Sequence, residues 1–239
     1  MGIKLPRYKK RNLLLSIIYR LHKIPFFSKK AKLKLYLNLE WIFDRLAHEM
    51  SFKVYTPDKH PFRIHSKKFI LEFINENHIV LDLGCHLGDI SFIIAQNAKK
   101  VIGIDYNKDA IAKAKAKYQK ENLEFHHSEA LAFLNENQKH FDILILSHIL
   151  EHLDNPQEFL LKYKNYFNHI YIEVPDFDRY YLNLYRQDLE LNLIYSDEDH
   201  ISEFDRYELK KLLNHCGLKI VKAEYIFGMQ KIWCDVNKD

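Results

Sequence analysis

The run Val80-Leu81-Asp82-Leu83 passes without a break into Gly84-Cys85-His86-Leu87-Gly88-Asp89, and this junction constrains the fold more than any other stretch of the chain. A short apolar run that ends in glycine reads as a buried β-strand turning into a helix. About twenty residues on, a second strand, Val101-Ile102-Gly103-Ile104-Asp105, closes on a carboxylate. A strand, a glycine loop at its carboxyl end and an acid ending the next strand form a pocket for a nucleoside-bearing cofactor. The glycines let the backbone approach the ligand, and Asp105 can accept both ribose hydroxyls.

A dinucleotide fingerprint needs G-x-G-x-x-G. Here only Gly84 and Gly88 remain, with Cys85, His86 and Leu87 between them, a poor cradle for a pyrophosphate. The pattern instead resembles the first motif of the class I S-adenosylmethionine-dependent methyltransferases. Their acid-x-Gly-x-Gly-x-Gly is met by Asp82, Gly84, His86 and Gly88, with His86 in place of the middle glycine. That exchange is expected to narrow the pocket near the amino-acid end of the cofactor or to add a polar contact there. Cys85 is read as a small residue that fits the loop, not as a nucleophile.

Later motifs keep the family's order. A short strand, Leu123 to His127, leads to Ser128-Glu129-Ala130, where relatives usually read Gly-Asp-Ala. Glu129 is then expected to accept from the adenine amino group. Phe141 to Pro156 holds a strand closing into Leu150-Glu151-His152-Leu153, a feature of small-molecule methyltransferases. Dehydrogenases share the first two motifs and lack this fourth one. The resemblance spans residues 78 to 175. It implies S-adenosylmethionine as cofactor, with Asp82, Gly84, Cys85, His86, Gly88, Asp105, Tyr106, Glu129, Ala130 and Ser147 around it.

Strands and helices alternate after residue 62, which predicts an α/β fold: a Rossmann-like, doubly wound, seven-stranded sheet. A helix is expected from His65 to Asn75, and another from Asp109 to Gln119. The fifth strand is His169 to Val174, a helix runs from Ser202 to Cys216, and Leu218 to Tyr225 and Met229 to Val236 form a C-terminal antiparallel hairpin through Gly228. Residues 62–239 are taken as the methyltransferase domain and 1–61 as a basic helical extension, with Pro57 and Pro61 punctuating the link. Asp176 to His200 reads as an irregular insertion. Its Phe177, Tyr180, Tyr181, Tyr185 and Tyr195 either line an acceptor pocket or cover the sheet edge, and their spacing does not decide between the two.

The net charge of +4 conceals an asymmetry. Residues 1–34 carry eleven Lys and Arg and no acid, and the rest carries 25 cations against 32 anions. The extension also holds Leu13, Leu14, Leu15, Ile17, Ile18, Leu21 and Ile24. It is too short to span a bilayer and lacks a small-residue cleavage site. A helix docked on its own domain is the favoured expectation over peripheral contact of residues 1–34 with an anionic membrane. An RNA-facing arm ranks third, because aromatic residues are not interleaved with its cations. Three scattered cysteines point to a reducing, cytoplasmic setting, at the inner membrane face if the arm binds lipid.

Methyl transfer to an alcohol benefits from a base, and histidine suits that task near neutral pH. His148, His152 and His200 are the candidates, with His200 placed first and His152 second. His152 is also read as a structural tie between the strand-four loop and the insertion. His148, Glu151 and His152 spell H-x-x-E-H, but at a strand end in a nucleotide-binding fold this is no zinc-protease site. Ubiquinone-pathway O-methyltransferases bind a divalent ion at this place. Glu151 and His152 match two of those ligands, while His148 stands where they have an acid, so a metal is left open. The expected acceptor is an oxygen of a small molecule, a sugar or a lipid-linked glycan. The alternatives are an RNA methyltransferase using the basic arm and a non-catalytic cofactor-binding relative. Nucleic acid is not the expected partner: Ser147-His148-Ile149-Leu150 stands where base-amino methyltransferases carry Asn/Asp-Pro-Pro-aromatic, and Pro175 precedes Asp176 rather than a cysteine.

Overall fold

The computed structural model describes residues 12–56, 59–136, 141–194, 196–197 and 199–237. Pro57, Tyr195 and Glu198, and the cations at positions 4, 7, 9, 10 and 11, lie outside the described residues. Three helices come first: α1 (Leu13–His22), α2 (Lys29–Val54) and α3 (Pro61–Leu71). Then β1 (Ile79–Leu83), α4 (Asp89–Ile94), β2 (Lys100–Asp105), α5 (Lys108–Lys117), β3 (Leu123–His127), α6 (Ala130–Glu136) and β4 (Ile143–Ser147) alternate. A 3-10 turn, Leu150–His152, leads to α7 (Pro156–Tyr163), and a second, Lys164–Tyr166, to β5 (His169–Pro175). The chain ends with α8 (Leu182–Asp188), α9 (Arg206–His215), β6 (Leu218–Ile226) and β7 (Met229–Val236).

The seven strands form one sheet in the order β3-β2-β1-β4-β5-β7-β6. The first five are parallel, and β7 enters antiparallel between β5 and β6. The expected doubly wound sheet and terminal hairpin are therefore present. Residues alternate between two cores, as the two-residue period of a strand demands. Leu81, Leu144, Leu146, Ile170 and Ile172 pack against α6, α7 and α9. Val80, Val101, Ile143, Tyr171 and Trp233 pack against α3, α4 and α5.

Local chemistry sets the helix starts. Asn107 accepts from the backbone N–H of Asp109 and Ala110, and Asn155 from that of Glu158, each followed by its helix. Pro61 occupies the first turn of α3, where its missing N–H costs nothing, so α3 starts four residues before the expected His65 and ends at Leu71. Asp205 caps α9 through the N–H of Glu208, so residues 202–205 stay outside the helix. The insertion is more ordered than its sequence suggests. It holds α8, anchored by buried Arg186, which donates to the Leu37 carbonyl (3.0 Å) and the Glu40 carboxylate.

The N-terminal region departs from the docked-helix expectation. No side chain of α1 is buried. Docking begins only in α2, where Leu37 is buried and Asp44 and Arg45 pair with Arg179 (2.6 Å) and Asp197 (2.7 Å). Among the described residues the apolar side chains of α1 stay exposed, whereas α2 is held by charged groups of the insertion.

Candidate cofactor and acceptor site

The order of strands reverses between β1 and β4, and ligands of open α/β sheets bind at that crevice, beyond the carboxyl ends of the strands. The loop after β1 is pulled toward β2: the N–H groups of Gly84 and Cys85 donate to the Ile104 carbonyl at 2.8 and 2.9 Å. Gly84 has φ +73°, and a Cβ there would run into the side chain of Ile149. Gly88 has φ +76°, and its Cβ would strike Phe125. Neither position tolerates another residue without a cost of about 1–2 kcal/mol in backbone strain alone. His86 adopts the left-handed conformation without being glycine (φ +47°). Its N–H donates to Asp105 Oδ2 at 2.8 Å, while Asp105 Oδ1 accepts from the N–H of Asn107 at 2.8 Å. Asp105, itself buried, thus ties the glycine loop to the start of α5.

A cavity of about 400 Å³ opens behind this loop. Asp82, Gly84, Cys85, His86 and Ser147 line it, together with Phe52 of α2 and Phe62, Arg63 and Ser66 of α3. Asp82 is buried and accepts from Ser91 Oγ. Burial pushes its pKa up to about 6, opposed by that hydrogen bond and assisted by the charge of Asp105. Burial also pushes the Cys85 thiol up, which keeps it from acting as a thiolate. Gly88 is buried beneath the loop. Asp105, Tyr106 and Glu129 are not in the cavity wall; Asp105 ends β2, Tyr106 follows it, and Glu129 comes two residues after β3. Tyr106 and Glu129 are exposed there, the Tyr106 carbonyl faces His127 Nε2 at 2.9 Å, and Ala130 opens α6.

A second, smaller cavity of about 120 Å³ lies under α2. Glu40, Trp41, Asp44 and Arg45 form its roof; Asp176, Tyr180, Arg186, His200 and Glu203 form its walls. Among the described residues, His148 alone lines both cavities. It sits just past β4 with φ +57°, a conformation that a non-glycine residue holds only where the surroundings impose it. Its N–H donates to the Glu173 carbonyl at 2.8 Å, Nδ1 lies 3.0 Å from Glu151 Oε1, and Nε2 lies 4.0 Å from Glu173 Oε1. Burial by itself lowers the pKa of His148, but the hydrogen bond and charge of Glu151, with Glu173 behind it, outweigh that and hold it above the ordinary histidine value.

The other two histidines stand close by. His200 is nearly enclosed, with Nδ1 3.0 Å from Glu203 Oε1 and 3.2 Å from Ser196 Oγ. Burial works against its charge, yet Glu203 raises its pKa overall. His152 is 4.8 Å from His200, ring to ring and edge-on, and its Nδ1 donates to the Asp199 carbonyl at 3.2 Å. It therefore joins the strand-four loop to the insertion, and it lines neither cavity. Glu151, His152 and His200 bring ligand atoms within 4.8 Å of one another, and Glu151 Oε2 is buried without a hydrogen-bond partner, so this trio could hold a divalent cation.

Sequence reasoning passed over Glu173, Ser66, Lys231 and Arg63. Glu173 is fully buried at the end of β5, accepting from Ser66 Oγ at 2.8 Å and from the Tyr171 hydroxyl. Lys231 faces it across the β5–β7 ladder, is equally buried, and lies 5.4 Å over the Phe62 ring. A glutamate inside the otherwise apolar strand Ile170-Tyr171-Ile172-Glu173-Val174 is the signal that could have found this cluster, since buried charges are retained only where they are paired or used.

Comparison with known proteins agrees with this geometry. Over 133 residues the chain is 34% identical to an uncharacterized RNA methyltransferase of Mycoplasma mobile, a match covering 45% of this chain and 36% of that protein. Over 82 residues it is 33% identical to a ubiquinone biosynthesis O-methyltransferase of Rickettsia typhi, covering 34% of this chain and 33% of that one. The chain spans about a third of the length of these curated relatives. A SAM-dependent methyltransferase of Aquifex aeolicus shares the fold at a TM-score of 0.54 and 17% identity, covering 77% of this chain and 100% of that one. No helix among the described residues is long and apolar enough to cross a membrane. A family model described as a methyltransferase domain matches residues 59–223, most of the chain and every strand from β1 to β5. With the glycine loop, the acid ending β2 and the sheet order in agreement, the chain belongs to the methyltransferase-domain family.

Proposed function

We propose that this chain methylates a hydroxyl of a small polar acceptor, with His148 taking the acceptor's proton. The observation that carries the reading is that the two cavities meet at His148. S-adenosylmethionine is the methyl donor, and it supplies a methyl already activated on a sulfonium centre. The residues fit it: the Gly84–His86 turn leaves room for close backbone approach, and Arg63 and Lys67 place cations in the cavity wall for a carboxylate. Asp105 offers carboxylate oxygens to the ribose hydroxyls and Glu129 an oxygen to the adenine amino group. Phe52 and Phe62 line the cavity with apolar rings, which strengthen charge interactions inside it once a ligand displaces its water.

The acceptor occupies the second cavity and directs its hydroxyl at the seam. His148, held through Nδ1 by Glu151, would present Nε2 to the acceptor and take the hydroxyl proton as the O–CH3 bond forms and the S–CH3 bond breaks; S-adenosylhomocysteine would be the leaving group, and the proton would pass from Nε2 to solvent. His200, braced by Glu203, orients the acceptor from the opposite wall. The base is placed at His148 and not at His200 because, among the described residues, His148 alone lines both chambers. The roof and walls combine Trp41 and Tyr180 with Glu40, Asp44, Arg45 and Asp176. Aromatic faces among carboxylates and a guanidinium suit a polyhydroxylated ring, free or carried on a lipid.

RNA is the second reading, prompted by the name of the Mycoplasma mobile relative. The acids of the second cavity disfavour it, because phosphate binding needs cations along the path of the backbone. Transfer of labelled methyl from S-adenosylmethionine tests both readings. Label is expected on hydroxyl-bearing sugars or phenols; label on RNA, and on no alcohol, overturns the proposal.

A further inference from the structure

We infer that the outer side of α1 and α2 rests on an anionic lipid surface. In α1, Asn12, Ser16, Arg20 and Lys23 follow one another at steps of four, four and three, so they share one stripe of the helix. Leu13, Leu14, Ile17, Ile18 and Leu21 fill the opposite side, and none is buried; Leu13 is 75% exposed. The turn that follows leaves Phe26 84% exposed. Lys32 Nζ donates to the carbonyls of His22 (2.6 Å) and Ile24 (2.7 Å), which fixes α1 against the head of α2.

α2 carries an exposed apolar stripe of its own. Leu35, Leu39, Ile42, Leu46 and Met50, at steps of four, three, four and four, form one exposed stripe. The side facing the domain holds Leu37, Glu40, Asp44 and Arg45 instead, engaged with the insertion. α2 is therefore apolar on the side turned away from its own domain, where water would otherwise meet it. A helix pair too short or too polar to span a bilayer, with cations beside an exposed apolar stripe, has the makeup of one lying in the membrane interface.

Charge selects the occupant. From Asn12 to Leu39 there are six cations, at positions 20, 23, 29, 30, 32 and 34, and no acid. A second copy would bring these cations against themselves, whereas anionic headgroups neutralise them. RNA would meet the cations and leave the apolar stripe in water. The same α2 roofs the second cavity, so the apolar surface and the cavity lie on opposite sides of one helix. An acceptor carried on a lipid would then arrive from that surface; this last clause rests on the proposed function, and the docking does not.

Cosedimentation of the full chain with phosphatidylcholine vesicles, with and without phosphatidylglycerol, tests the inference. Binding is expected only with phosphatidylglycerol and should weaken as salt rises. Leu14→Glu/Ile17→Glu and Leu39→Glu/Leu46→Glu should each weaken it at least about tenfold, with S-adenosylhomocysteine binding and the melting temperature unchanged. A folded chain that ignores anionic vesicles at low salt overturns the inference. So does a dimer that Leu39→Glu/Leu46→Glu splits without altering vesicle binding, and so does RNA binding that outcompetes vesicles and survives both variants. Calorimetry with S-adenosylhomocysteine reads the methyltransferase assignment separately, so the two can fail independently.

Discussion

Asp105→Ala is expected to weaken S-adenosylhomocysteine binding by roughly two to four orders of magnitude, read by calorimetry. A hydrogen bond to a charged group contributes about 1.5–3 kcal/mol, and Asp105 is assigned two ribose hydroxyls. Tenfold in affinity corresponds to about 1.4 kcal/mol. The same carboxylate accepts from His86 and Asn107, so its loss also loosens the glycine loop. Asp105→Asn separates the two effects. Its amide retains one acceptor for the loop but sets an N–H₂ against the other backbone donor, so binding should fall by less. Unchanged affinity in Asp105→Ala, with the protein folded by circular dichroism, removes Asp105 from the ribose role.

His148→Ala should lower turnover by roughly 10²–10⁴-fold, the usual contribution of a positioned general base. The pH profile provides a readout that a purely structural role would not move. His148 must be neutral to accept a proton, and Glu151 holds its pKa above the ordinary value. The rate should therefore rise with pH through that raised value and level off above it. Glu151→Gln removes the hydrogen-bonded charge and leaves burial, which favours the neutral ring, so the rising limb should shift to lower pH. His200→Ala should act mainly on the acceptor's KM. Normal turnover in His148→Ala beside an inactive His200→Ala would move the base to His200.

Much of the sheet was legible in the sequence because strands covered on both faces read as uninterrupted apolar runs. Ile143–Leu146 is such a strand, and Val80–Leu83 is broken only by the buried Asp82; each ends where a glycine or a polar residue begins the loop. The acid ending β2 and the glycine loop were legible for the same reason: they lie at fixed short distances from those strands. What escaped depends on contacts between distant segments. The seven residues of α8 carry no strong pattern, and the helix stands because Arg186 reaches Glu40 and Leu37 in α2. The roof over the second cavity is invisible in sequence because α2 and the insertion meet only after folding. His148 gained its place from Glu173, which β5 brings alongside β4 with the Ser147–Glu173 register. Nothing local to His148-Ile149-Leu150-Glu151 announces that neighbour.

Crystals grown with S-adenosylhomocysteine test the central claim most directly. The ligand is expected between Gly84, Asp105 and Glu129, its amino-acid end in the cavity with Arg63 and its sulfur turned toward His148. A site left empty at saturating ligand, or one filled by NADH in preference, would contradict the account.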